Sequence, residues 1–394
     1  MGVKQPIRIF VDAHVFDQEY QGSRTFIRGL YTALSKNPAV QLLIAAHDTG
    51  KLKEIFPTSP NIRLLRYSTK SGWSRLLFNI RSLLQKHEVD FAHFQYIIPP
   101  VKNRKCKYIV TIHDVIFEEY PKEFKRSYRV AKKMLYGMAA NKADVITTVS
   151  NYSSRSIEKF LGVPPGKTTI VPNAVDDRYF QSYDKEKALG FVGTRYGLKK
   201  YILYVSRFEP RKNHVGLLRA FVDLKLYSKG YSLVLVGHRS LAVKGFDELL
   251  NSLTAEIRRS ILVIDDLADS DLLELYRAAT LFVYPSRAEG FGIPPLEAAA
   301  LQIPVICSNA SAMQDFSELG ITLINTSDQQ ELNEAISQML IKPPSADTLQ
   351  KIADNIRSSF TWERSAETFY QHLLKEKTLP FNSKYVTNDK LPVS

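Results

Sequence analysis

Two α/β domains, each a parallel sheet flanked by helices, are the fold class this chain predicts. Three observations carry that expectation. Short apolar runs alternate with helix-patterned stretches along most of the 394 residues, as βαβ units and parallel sheets require. The alternation falls into two series and shows no shorter repeat. The length itself suggests two to three domains, each able to bury a sizeable core.

The first series places strands at 7–12, 41–46, 62–66, 91–96, 108–113, 144–149 and 168–172. The second places them at 201–206, 232–237, 261–265, 281–285, 304–308 and 321–325. Acidic residues and glycines interrupt the pattern at 173–200, so a first domain is expected over 1–190 and a second over 191–360. Residues 361–394 read as a last helix to about 376 and then a polar, proline-containing end of the kind that stays mobile.

Composition excludes several classes. Hydrophobic content is 44%, ordinary for a globular chain, and no apolar run approaches the ~18–20 residues of a membrane span. Residues 7–11 read as a first strand rather than a leader, so the expected compartment is the cytoplasm. Cys106 and Cys307 stand far apart, which argues against disulfides and Cys-ligated zinc. No His/Asp cluster demands a metal, and no cofactor is expected.

Charge is informative in its distribution. Residues 1–190 carry 30 Lys+Arg against 17 Asp+Glu, whereas the remainder carries 23 against 23. A one-sided basic domain favours an anionic partner. No helix-turn-helix, zinc finger or similar module is present, so nucleic acid is not expected. An acidic membrane surface or a phosphorylated acceptor remains. Residues 73–84 mix Trp, Leu, Phe and Arg at helical spacing, and 121–133 carry Lys122, Lys125, Arg126, Arg129, Lys132 and Lys133. Each segment fits a core helix with a charged outer face more readily than a membrane contact.

The chemistry concentrates in two loops of the second half. The apolar run 281–284 ends in 285–297, Pro-Ser-Arg-Ala-Glu-Gly-Phe-Gly-Ile-Pro-Pro-Leu-Glu. Prolines suit a first helical turn, so this is a strand, a glycine loop and a helix N-terminus. Such a terminus offers free N–H groups and a positive dipole end to an anion, and glycine permits close approach. Glu289 and Glu297, eight residues apart, can accept hydroxyls on either side of that anion. Phosphate in the middle with hydroxyls at both ends describes a nucleotide sugar. Upstream, the apolar run 201–205 leads into Ser-Arg-Phe-Glu-Pro-Arg-Lys-Asn at 206–213, then a helix expected over 214–227. Strand ends face the ligand crevice in such folds, so Arg207 and Lys212 are expected as unpaired cations within reach of a diphosphate.

Together these residues resemble the signature of retaining glycosyltransferases of the GT-B fold, glycosyltransferase family 4. The matching positions are Ser206, Arg207, Lys212, Glu289, Gly290, Phe291, Gly292 and Glu297. Segments 264–276, 304–309, 111–114 and 147–151 also fit, and the likeness spans most of 7–375. The chain departs from the family where Asp265 or Asp266, and Gln302, replace glycines. The resemblance implies two Rossmann-like domains facing a central cleft, with a C-terminal helix crossing back, where Trp362 and Phe369 would pack. It implies that Arg207, Lys212, Glu289 and His113 act in catalysis. It makes Gly22, Ser206, Gly237, Leu267, Gly290–Gly292 and Glu297 donor-binding, and Arg24 and Asp114 acceptor-side. Of the eight histidines, His113, at the end of an apolar strand, is the strongest candidate, ahead of His14, His93 and His238.

The expected activity is transfer of a hexose from a nucleotide-diphosphosugar, GDP-mannose first and UDP-sugars next, to a glycan or lipid-linked acceptor, with retention. In bacterial relatives the acceptor is often carried by a polyprenyl diphosphate at the inner leaflet, which a basic first domain would suit. Three alternatives stand beside this. A sugar phosphorylase shares the architecture but needs a further anion site. A nicotinamide dehydrogenase lacks its Gly-x-Gly-x-x-Gly after either first strand. A non-catalytic glycan- or membrane-binding protein has no need of Arg207, Lys212, Glu289 and Glu297 together.

Overall fold

The structure, a computed structural model, describes residues 5–17, 22–239, 243, 245–265 and 267–379. Tyr20, Gln21, Asp266 and the tail from 380 lie outside them. The first domain holds strands β1 (Ile7–Asp12), β2 (Val40–Ala46), β3 (Ile62–Arg66), β4 (Phe91–Gln95), β5 (Lys107–Thr111), β6 (Val145–Thr148) and β7 (Thr168–Ile170). The second holds β8 (Lys200–Val205), β9 (Tyr231–Val236), β10 (Ile261–Ile264), β11 (Leu281–Tyr284), β12 (Val305–Ser308) and β13 (Thr322–Ile324). All thirteen lie within a residue or two of the expected positions.

Both sheets are wholly parallel, in the orders β3-β2-β1-β4-β5-β6-β7 and β10-β9-β8-β11-β12-β13. Helices cover both faces, which is why β4, β5, β6, β11 and β12 are buried along their whole length. The strand order reverses between β1 and β4 and again between β8 and β11. These switch points open crevices at the carboxyl ends of the strands, the places where such sheets bind ligands. Both expected donor loops, after β8 and after β11, sit at the second of them.

The helix expected over 214–227 stops at Asp223 and gives way to a 3-10 turn, Leu226–Lys229, because Lys225 takes a left-handed φ of 50°. The helix Lys185–Tyr196 runs through the expected division at 190 and packs on the second domain, where the Tyr196 hydroxyl donates to Asp271 at 2.8 Å.

A last helix, Trp362–Thr378, returns to the first domain. Trp362 packs against Gly29, where a Cβ would come within 2.0 Å of the indole ring. Phe369 contacts the rings of Tyr31 and His93 at 6.4 and 5.5 Å. The buried Lys107 ammonium donates to the carbonyls of Glu376 and Leu379 at the helix's C-terminal end, where a cation suits both the open carbonyls and the dipole. Lys36–Glu363 at 2.7 Å and Lys377–Asp90 at 3.0 Å complete the docking.

Candidate active site

The second switch point brings the two motifs into contact. After β8 the chain makes one 3-10 turn, Pro210–Lys212, and Asn213 takes a left-handed φ of 57° to start the helix His214–Asp223. The buried Tyr204 hydroxyl donates to the Lys212 carbonyl at 2.7 Å and fixes that turn. After β11 the loop 285–292 leads into the helix Ile293–Ala300, with proline in its first turn.

Glu289 is the centre of the contact. Its Oε1 accepts from the Lys212 ammonium and from the Tyr284 hydroxyl at 2.8 Å. Its Oε2 lies 3.3 Å from Arg211 Nη1, and its backbone N–H donates to Ser311 Oγ at 2.8 Å. Arg211 also pairs with Glu209 at 2.7 Å. Burial pushes the Glu289 carboxyl up, but the charges of Lys212 and Arg211 outweigh it and hold it at about 2. Burial, helped by Arg211, lowers the Lys212 ammonium against the pull of Glu289.

This corrects the picture of unpaired cations. Lys212 is buried and bound to a carboxylate, and Arg207 is exposed, its Nε 3.9 Å from Glu209. Arg211, a third cation in the same loop that had no expected role, is the one bridging Glu209 and Glu289. The acid beside it in sequence was the available signal. An anion entering here meets a carboxylate already paired with two cations.

Glu297 stands further along the helix. It is partly buried and accepts from the Tyr276 hydroxyl at 3.0 Å. Burial raises it to about 7 against the pull of Tyr276 and Arg178. Leu267, partly buried, just precedes the helix Asp269–Ala278 that carries Tyr276. The carboxylates of Asp269 and Asp271 on that helix are engaged by Arg178 at 3.4 Å and Arg195 at 2.6 Å.

The glycines have separable reasons. A Cβ on Gly290 would lie 2.8 Å from the His113 carbonyl oxygen and 2.9 Å from Asp114 Cβ, so this glycine lets the two domains touch. Its carbonyl accepts from Ser150 Oγ at 2.7 Å and Ser153 Oγ at 3.1 Å, and Tyr120 donates to the Arg287 carbonyl at 2.8 Å. Ser150 lies in the segment 147–151 already marked by the resemblance, whereas Ser153 and Tyr120 were not expected. Gly292 has φ 101° and Gly237 φ 148°, and a Cβ on Gly237 would fall 2.0 Å from the Ser206 carbonyl. Gly237 and the buried Ser206 therefore form a wall where β8 and β9 converge, tied by the Ser206 N–H to the Val236 carbonyl at 2.8 Å. Phe291 is buried against Phe316 and Phe360, ring centroids 5.9 and 5.6 Å away, and anchors the loop.

Across the cleft, His113 is buried with Nε2 2.7 Å from Gln95 Oε1 and Phe26 edge-on at 5.0 Å. Burial lowers its pKa to about 3, so the imidazole is neutral. Asp114 accepts from the Ile116 N–H at 3.2 Å, and burial raises its carboxyl against the pull of Arg211. Arg24 donates to the carbonyls of Val15 at 2.7 Å and Phe16 at 3.3 Å, bracing the turn after β1. Gly22 opens the helix Gly22–Leu34 with nothing within 4 Å of its Cβ direction. The structure thus gathers Lys212, Glu289, Gly290, His113 and Asp114 at one cleft, with Arg207 at its exposed rim.

Comparison with known proteins accounts for most of the chain. A family profile described as "Glycosyltransferase Family 4" matches residues 20–179, and one described as "Glycosyl transferases group 1" matches 188–358. An O-antigen chain mannosyltransferase B from Escherichia coli is 32% identical over 235 residues, 57% of this chain and 60% of that protein. The O-antigen chain mannosyltransferase RfbU of Salmonella typhimurium is 28% identical over 245 residues, 62% of this chain and 63% of its own length. The chain therefore spans under two thirds of either relative. Sucrose-phosphate synthase from Thermosynechococcus elongatus superposes with a TM-score of 0.77 at 19% identity, covering 95% of this chain and 99% of that one. Anabaena HepE, solved with UDP-glucose, gives 0.68 at 16% identity, covering 93% and 99%. With a family 4 first domain, a group 1 second domain and two doubly wound sheets meeting at a cleft, the chain belongs to the GT-B glycosyltransferases.

Proposed function

We propose that this protein transfers a hexose from a nucleotide-diphosphosugar, GDP-mannose first, to a hydroxyl of a glycan or lipid-linked acceptor with retention at the anomeric carbon. The observation that carries the reading is the buried Lys212–Glu289 pair at the switch point, with Glu297 on the helix that follows the Glu289 loop. Lys212, Arg207 and the amides of the 290–292 loop stabilise the departing diphosphate, the preorganised electrostatics that usually supplies most of such catalysis. Glu289 holds donor-sugar hydroxyls and faces the positive charge that grows on the sugar. Glu297 takes the ribose diol. With its carboxyl held near 2 and both oxygens engaged, Glu289 is a weak base and a hindered nucleophile. That favours a same-face displacement. The acceptor oxygen bonds to the anomeric carbon as its bond to the diphosphate breaks, and the acceptor proton passes to the departing phosphate oxygen. The mannosyl preference follows the names of the similar proteins, two O-antigen mannosyltransferases and a GDP-mannose-dependent mannosyltransferase of Corynebacterium glutamicum.

The acceptor is proposed to lie at an anionic membrane surface met by the first domain. Among the described residues no helix is long and apolar enough to cross a membrane. Eight of the eleven exposed large apolar side chains among the described residues nevertheless lie between Trp73 and Met138. Val130, Met134 and Met138, spaced four apart, form an outward stripe on the helix Arg126–Lys142, flanked by the exposed Lys125, Arg126 and Lys133. Trp73 and Phe78, 70% and 68% exposed, add two aromatic side chains. Apolar anchors beside cations suit peripheral attachment. The test is proton NMR of the purified enzyme with GDP-α-mannose and a mannosyl acceptor: an α-linked product and released GDP are expected, and a β-linked product refutes retention.

A further inference from the structure

Behind His113 runs a polar chain that the donor site does not itself use. The Tyr31 hydroxyl bonds His93 Nδ1. His93 Nε2 lies 2.6 Å from Thr111 Oγ1 and 3.3 Å from Gln95 Nε2. Gln95 Oε1 lies 2.7 Å from His113 Nε2. Every member is buried, His93 and Thr111 completely. Such a network is costly unless its donors and acceptors match in sequence.

With the Gln95 amide oriented as it is here, matching them places a proton. An amide has one donating end and one accepting end, and a neutral imidazole has one of each. The Gln95 amino group on His93 requires a lone pair at His93 Nε2. Its carbonyl on His113 requires an N–H at His113 Nε2. The two rings are thereby coupled through one side chain. The His113 ring is also wedged, with Phe26 at 5.0 Å and Tyr96 at 5.2 Å. Tyr96, next to Gln95, holds a left-handed φ of 61°, local strain of a kind that clusters at functional sites. It stacks on Tyr136 with ring centroids 5.0 Å apart.

We propose that Gln95, oriented by His93, is a positioning residue that fixes His113 as the Nε2–H tautomer and leaves Nδ1 unprotonated to accept a donor-sugar hydroxyl. This rests on the expectation that His113 acts in catalysis, here by meeting the donor sugar. It adds a specificity rule: the sugar position facing His113 must carry a hydrogen-bond donor, so a deoxy or O-methyl donor at that position is a poor substrate.

The test is long-range 1H–15N correlation NMR of the full chain labelled with 15N-histidine, near neutral pH. The wild-type His113 signals are expected at the shifts of a neutral ring protonated on Nε2. An Nδ1–H tautomer, or a charged ring, overturns the proposal without recourse to any variant. Gln95→Met keeps the shape and removes both hydrogen bonds. It is expected to mix the His113 tautomers and lower kcat/KM for the donor about tenfold, the worth of one hydrogen bond, with unchanged Kd for the nucleoside diphosphate. An equal loss in nucleoside diphosphate affinity would mark Gln95 as merely structural and overturn the proposal. The reading of His113 fails separately: a wild-type tautomer together with full turnover in His113→Ala would sink the donor contact and not the relay.

Discussion

At the scale of single residues, Lys212 and Glu289 depend on each other before any substrate arrives. Removing one partner of a buried pair strands the other, at a cost of about 3 kcal/mol. Lys212→Met is therefore expected to lower the stability of the free protein by about that much in urea unfolding, whereas Lys212→Met with Glu289→Gln should recover most of it. Both variants should lose transfer activity by at least about a hundredfold. A Lys212→Met protein as stable as wild type would contradict the pairing. Glu297 behaves oppositely. Its pKa of about 7 lies above the usual 4.5, so its contribution is complete below about pH 4.5 and is lost as pH rises through 7. Glu297→Gln should stabilise the free protein by about 2–3 kcal/mol at pH 8 and hardly at pH 5, while weakening nucleotide binding. Thermal melts at the two pH values decide it. The loops that carry Lys212 and Glu289, and the helix that carries Glu297, were legible because apolar runs, glycines and prolines mark the strand ends and the helix start. Arg211 and Tyr284 were not, because they matter through contacts with Glu289, 78 and 5 residues away in sequence, that no local pattern records.

At the scale of elements, strand positions followed from short apolar runs whose burial on both faces leaves little ambiguity. Helix surfaces did not follow. The helix Arg126–Lys142 buries Tyr136, Ala139 and Ala140 and turns Val130, Met134 and Met138 outward, so an apolar period that reads as core in sequence lies partly on the surface. Gln302 is another case. It holds a left-handed φ of 60°, which explains why glycine would be natural there. The last helix is held by shape as much as by charge. Gly29→Ala would drive a methyl into the Trp362 indole, and overpacking of this kind costs about 1–3 kcal/mol. The variant should unfold at lower temperature, and Trp362→Leu in the same chain should restore part of the loss. A Gly29→Ala protein with an unchanged melting point would show that the helix does not dock as described.

At the scale of the whole molecule, the net positive charge of the first domain and its outward apolar stripe point the same way, while the proposed donor site lies in the neutral second domain and the cleft. Arg129 and Lys133 are already paired with Glu118 at 3.3 and 3.0 Å, so the free cations on this face are better probes. Lys125→Glu with Arg126→Glu should reduce sedimentation with anionic vesicles at low salt, each charge being worth about 1 kcal/mol near such a surface. The same change should leave nucleotide binding intact. Binding of wild type that is insensitive to salt, or absent at low salt, would remove the membrane from the account. The uneven charge of the two domains was readable from charge counts, but their closeness was not. It emerged only where Gly290 meets His113 and Asp114 and its carbonyl is held by Ser150 and Ser153. The central claim is that the loops after β8 and β11 form one nucleotide-diphosphosugar site. Titration calorimetry of the full chain with GDP, UDP and ADP tests it most directly. One nucleoside diphosphate is expected to bind with clear preference and to lose at least about tenfold in affinity in Glu297→Ala and in Lys212→Met. No binding of any of the three, or equal binding by both variants and wild type, would contradict it.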